Sequence, residues 1–188
     1  MMKRVSVLLA AALLLAGCRG GESSGSTLPP EGITMHPTED IADIYTDTVK
    51  AYFTALEQND FDAYLALVHP VYKEAFGAYL AKKDSSLEKN FTAQRKRFDE
   101  DGYESWRITD ITLSKHQNPD YDYFFRQFTE AGILTEEQVK AVKDSAEETE
   151  DVKFSVDALY QGDAEPVTVF YGQQMILFKT ADGVRCFG

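Results

Sequence analysis

The sequence predicts an α+β fold: N-terminal helices, a bulged strand, two short helices and a C-terminal antiparallel meander. Three observations point there. Apolar residues recur at helical spacing from Ile41 to Leu56, they alternate at strand spacing from Val152 to Tyr160, and a block of helices precedes a closing run of strands.

The first helix is read from Ile41, Ile44, Tyr45, Thr48, Val49, Tyr52, Phe53 and Leu56, which follow an i, i+3, i+4, i+7 rule. Thr38 or Asp40 is suited to cap its start, and Asn59-Asp60 ends it. Asp60 then caps a second helix carrying Phe61, Tyr64, Leu65 and Val68. Pro70 opens a third, because a first-turn residue needs no backbone N–H. Ala75, Phe76, Tyr79 and Leu80 form its apolar face, and the helical pattern resumes from Leu87 to Phe98, with a basic patch at Arg95-Lys96-Arg97. Such a patch is either a solvated helix face or a site for an anionic partner.

Beyond it, Trp106 and Ile108 share one parity while Ile111 and Leu113 share the other. A regular strand keeps its faces, so a bulge near Thr109-Asp110 is expected. Tyr121–Phe128 and Glu136–Val142 read as two short helices joined at Gly132, and Glu147–Asp151 reads as a solvated acidic turn. That turn lacks the glycine and the spaced ligands of a calcium loop. Val152–Tyr160 alternates as a half-buried strand, whereas Val167–Phe178 is apolar on both parities, as a strand covered on both faces would be, with a bend at Gly172. Gly162-Asp163 and Asp182-Gly183 supply hairpin turns, the second leading to a last strand, Val184–Phe187.

The N-terminus is an address. Met1-Met2-Lys3-Arg4 is a basic head, and Val5–Ala16 is apolar apart from Ser6. As a helix this stretch measures roughly 18 Å against a hydrocarbon core of about 30 Å, the length of a signal-peptide core rather than of a span. It closes on Leu15-Ala16-Gly17-Cys18, which resembles the lipobox of bacterial lipoproteins. The resemblance implies a diacylglyceryl group on the Cys18 sulfur, removal of residues 1–17, and two acyl chains' worth of membrane anchoring. Residues 18–39 follow as the lipidated cysteine and a glycine-, serine- and proline-rich linker, whose composition gives a reach of roughly 25 Å. The domain is expected over 40–188.

Composition narrows the partners. A formal net charge of −12, which loses two positive and no negative charges with residues 1–17, repels nucleic acid phosphates and anionic lipid headgroups alike, so electrostatic capture by either is not expected and nucleic acid is not expected as a partner. Cys18 and Cys186 are the only cysteines, and His36, His69 and His116 are scattered, so neither a disulfide framework nor a metal site is expected, and no cofactor. Cys186, in an apolar run, reads as an inert buried thiol.

The phrase TVKAYFTALEQNDFDAYLALVHP, Thr48–Pro70, resembles the opening of nuclear transport factor 2-like (cystatin-like) domains. The resemblance implies N-terminal helices packed on a curved antiparallel sheet to make a cone whose open end can hold a ligand, with Tyr121–Ser145 as a helical insertion relative to the minimal fold. With the lipobox, the chain is similar to small lipoproteins of Gram-positive bacteria, held on the extracytoplasmic face of the cell membrane. Catalytic members of the cone family place an Asp or His inside the cone, and the nearest candidates are Asp110 and His69. The paired base and oxyanion donor of the family's isomerases are not found at matching positions. Trp106, Tyr160 and Tyr171 are suited to line a pocket, being rings that join an apolar body to a polar tip. Together these features imply a non-enzymatic module for a small-molecule or protein ligand, with a cone enzyme of isomerase or hydrolase type as the alternative.

Overall fold

The computed structural model describes residues 32–99, 103 and 105–187. The signal segment, Cys18 and the linker as far as residue 31 lie outside them. The helical block forms where the apolar spacing places it: α1 is Asp43–Gln58, α2 Phe61–Leu67, α3 Pro70–Ala81 and α4 Leu87–Arg95, followed by a 3-10 turn at Lys96–Phe98. Asp60 caps α2 by accepting the Ala63 N–H at 2.9 Å, and Ser86 does the same for α4 through Lys89. The start of α1 departs from expectation. Its N-cap is Ala42, which has no side chain to offer, so neither Thr38 nor Asp40 caps it.

The sheet contains β1 Thr34–Pro37, β2 Trp106–Lys115, β3 Glu148–Tyr160, β4 Val167–Thr180 and β5 Gly183–Phe187, in spatial order of their numbers. Between β2 and β3 run α5 Tyr121–Glu130 and α6 Glu136–Ser145. The fold class is therefore α+β as expected, on a curved open sheet. Two expectations are corrected. The sheet is mixed rather than antiparallel, because β1 lies parallel to β2 with Thr34 opposite Asp110. That strand also takes residues 34–37 out of the linker. Its apolar signal is only Ile33, buried at 3%, and Met35, and Pro37 is tolerated because an edge strand has an unpaired side.

The acidic turn is the second correction: Glu148–Asp151 belongs to β3, paired with Ile176–Lys179 of β4. The bulge in β2 falls between Ile108 and Asp110, so Trp106, Ile108, Ile111 and Leu113 all reach one face despite their mixed parity. Further register shifts at Phe154–Asp157, with Gly172 at φ 58° across from them, bend β3 and β4. Only the second half of β4, Met175–Phe178, is buried on both parities.

Directly opposed residues of an antiparallel pair share a face, which gives the sheet an inner and an outer side. The inner face is covered by α1: Phe53 meets Phe154 and Phe170 at ring distances of 5.2 and 6.0 Å. Part of the outer face is covered by α5 and α6, whose Phe125 lies against Phe178 and Phe187. The free edge of β5 is closed where α2 meets α3. Val68 bridges to Cys186, and the His69 N–H donates to the Cys186 carbonyl at 2.9 Å. Cys186 itself is buried, its thiol pushed up to about 12 by desolvation, which fits an inert packing role.

Candidate functional site

The five residues singled out for a cone site are not brought together. Trp106 and Tyr160 do sit opposite one another on the inner face, but as packing. Trp106 stacks on Phe98 at 4.6 Å and donates its indole N–H to Asp99 Oδ1 at 3.1 Å, while Tyr160 is only 3% exposed. Tyr171 follows the inward Phe170 on β4, so it turns to the outer side, where it is 84% exposed. It lines no pocket with the other two. Ring chemistry alone does not say which face a residue reaches, and the register shifts in β3 and β4 decide it here.

Asp110 is also on the outer side, opposite Asp157. Its Oδ1 is 2.7 Å from His36 Nε2, and that hydrogen bond holds its carboxyl below the usual range. A carboxylate held ionised on a half-exposed surface is a weak base. His69 is buried at the head of α3, its ring 5.8 Å from Phe178 and 6.1 Å from Phe187, with Nε2 3.3 Å from Ser145 Oγ and Nδ1 without a hydrogen bond. Desolvation lowers its pKa, so it is neutral. It fastens α3 to the end of α6.

A cluster that sequence reasoning missed lies on the outer face beneath the start of α5. Asp151 is buried within β3, and its Oδ2 accepts from Gln174 Nε2 at 2.8 Å and from His116 Nδ1 at 3.2 Å. Its Oδ1 is buried without a partner, and desolvation raises its pKa. The one signal for it in the sequence is that Asp151 lies immediately before the alternating run, in a position to extend that strand. Nearby, an open cleft of about 610 Å³ lies between the α5–α6 pair and the start of β3, with Tyr121, Phe125, Lys143 and Thr149 among its walls. Three of its charged side chains are in ion pairs: Lys143 bonds Asp122 at 2.7 Å, and Glu148 bonds Lys179 at 2.7 Å.

The chain matches no protein-family model, no curated protein and no solved structure.

What the geometry can do follows from these contacts alone. A carboxylate accepting from Nδ1 fixes the imidazole tautomer and leaves Nε2 of His116 as an acceptor toward the surface, the orienting half of a general-base arrangement. Among the described residues no nucleophile is hydrogen-bonded to that ring, and no group of three or more His, Cys, Asp or Glu is placed to hold a metal.

Proposed function

We propose that this chain is a lipid-anchored extracytoplasmic protein of a bacterial cell membrane, its domain a non-enzymatic module of nuclear transport factor 2-like type that binds a small molecule or a protein. The observation that sets this reading above a cone enzyme is the filled inner face. Ile108, Ile111, Leu113, Val156 and Ala158 are wholly buried there, and Phe53, Phe98 and Phe170 close over them. Chemistry inside a cone needs an acid or base facing a void, and both sequence candidates, Asp110 and His69, lie elsewhere. The anchor reading is supported by the basic head, apolar core, lipobox-like Leu15–Cys18 and polar linker, in that order, ahead of a fold that takes in the chain from Ile33.

Expressed in full in a bacterial host, the wild-type chain should fractionate with membranes and incorporate labelled fatty acid. Cys18→Ala should abolish the label, and should release the protein or leave it with an uncut signal. A Cys18→Ala chain that stays membrane-bound and correctly processed defeats the anchor reading.

One observation favours the second reading, an enzyme of isomerase or hydrolase type: the buried, raised-pKa Asp151 orienting His116. It would act from the outer face, not from the cone. Turnover of any ester or ketone substrate by the full chain, lost in His116→Ala while the fold is retained, would establish it over the binding module.

A further inference from the structure

The basic run Arg95-Lys96-Arg97 is not simply a solvated helix face. Where α4 tightens into the 3-10 turn, the Arg95 guanidinium lies 5.0 Å from the Trp106 ring and that of Arg97 lies 4.1 Å from the Phe170 ring. Stacking holds both groups in fixed positions, so less conformational freedom remains to be lost on binding. Arg95 Nε is buried without a hydrogen-bond partner, and burial presses down on the charged form of Arg97. In a protein of formal net charge −12, none of the ion pairs among the described residues involves these three cations. Asp99, the nearest described acid in sequence, is taken up by the Trp106 indole.

Their position in the fold adds a second, independent argument. Because β1 runs parallel to β2 with Thr34 opposite Asp110, the chain arrives from the end of the sheet where β2 begins at Trp106. Thirteen residues separate Cys18 from Gly32, so a lipid on Cys18 lies one short linker away from the stacked arginines. We propose that Arg95, Lys96 and Arg97, with Trp106 beside them, form a docking surface for the phosphate groups of anionic lipid in the membrane that holds the protein.

The proposal rests on the anchor reading. The linker confines the domain to within tens of ångströms of the headgroups, so the stacked guanidinium groups need only meet phosphate at contact range, within one Debye length of about 8 Å, against the repulsion of the acidic protein and of Asp99, Glu100 and Asp101 that follow them in the sequence. An indole is at home in the headgroup layer, where one edge is wet and the other apolar. Docking would turn the domain so that this end faces the bilayer, leaving the α5–α6 side free for a ligand.

Trp106 is the only tryptophan in the chain, which makes it the reporter. The full chain, isolated from bacterial membranes with whatever lipid it has acquired, is added to vesicles of phosphatidylcholine alone or with phosphatidylglycerol. Flotation and acrylamide quenching of Trp106 are then measured separately. In phosphatidylglycerol vesicles Trp106 should be shielded, and the shielding should fade with added salt. Lys96→Gln should lower the docked-to-free ratio about fivefold, and the Lys96→Gln/Arg97→Gln pair about 25-fold, as each basic residue near a surface contributes about that factor. Lys96 is exposed, and among the described residues its side chain makes no hydrogen bond, ion pair or ring contact, so its variant tests charge without removing one of these. Equal shielding in both vesicle types, shielding that survives the double substitution, or shielding by inorganic phosphate without vesicles each overturns membrane docking. A chain that floats with Trp106 unshielded defeats the docking alone. A chain that floats with neither vesicle type defeats the anchor and the docking with it.

Discussion

Phe187→Ala should destabilise the domain by about 4 kcal/mol, in the range for an aromatic ring deleted from a closed core. For a chain of this size that lowers Tm by roughly 8–16 °C. Phe187 is fully buried on β5, and its ring lies 4.4 Å from Tyr72, 5.4 Å from Phe128, 5.5 Å from Phe125 and 5.8 Å from Phe178. It is where α3, α5 and the outer face of the sheet meet. The lost ring would leave a cavity whose walls come from three separate elements, and such walls cannot collapse together without moving backbone. The effect should also be local. Hydrogen exchange should quicken first in α5 and α6, while α1 keeps its protection through Phe53, Phe154 and Phe170 on the other face. Uniform loss of protection in α1 and α5 would show that the two aromatic clusters form one cooperative unit, contrary to this account.

That division between faces explains which parts of the fold were legible in the sequence. The long amphipathic α1, the Asp60 cap, Pro70 at the head of α3 and the β2 bulge all leave local traces: a spacing, a capping residue, a forbidden N–H, a parity switch. β1 left almost none. Met35 and the flanking Ile33 are too few to show a period, and the strand's stability comes from pairing with β2, more than seventy residues away in sequence. Glu147–Asp151 looks like a turn in sequence, yet from Glu148 it is strand, for a related reason. Acidic residues usually mark solvent, but here the strand begins at the rim, where Glu148 can pair with Lys179 and bond to Tyr45 while Asp151 turns under α5.

The site was less legible than the fold, because a site depends on which face a residue reaches. Trp106 and Tyr160 came out on the same side as expected, since both belong to the regular ends of their strands. Tyr171 came out on the other, and whether it shared their face rested on register shifts in β3 and β4 that only the pairing reveals. His116 and Asp151 are 35 residues apart and joined only by the turn of chain through α5 and α6. In the basic run, composition showed the charge but not the rings beneath it.

The His116–Asp151 pair carries the other large expected effect. At pH 7, His116→Ala should cost about 2 kcal/mol, the scale of a hydrogen bond to a buried charge. Asp151 would keep only Gln174, with Oδ1 already unpartnered. Asp151→Asn should behave differently. The folded state holds the Asp151 carboxyl above its ordinary pKa, by desolvation against the opposing pull of His116, Gln174 and Lys153. Between the ordinary value of 3.8 and the raised one, the folded chain therefore binds more protons than the unfolded chain. This contribution to stability is fully present below pH 3.8 and is lost as pH rises through the raised value. Asp151→Asn removes that loss, so its stability relative to wild type should improve from pH 4 to pH 7. Once the charge is gone, His116→Ala should cost less than about 1 kcal/mol, because a neutral amide is left wanting less. Urea denaturation of the four chains at pH 4.5 and pH 7 measures the cycle. A coupling near zero at pH 7, or an Asp151→Asn chain that loses ground to wild type as pH rises, would mean that the carboxylate is stabilised rather than strained in its place under α5.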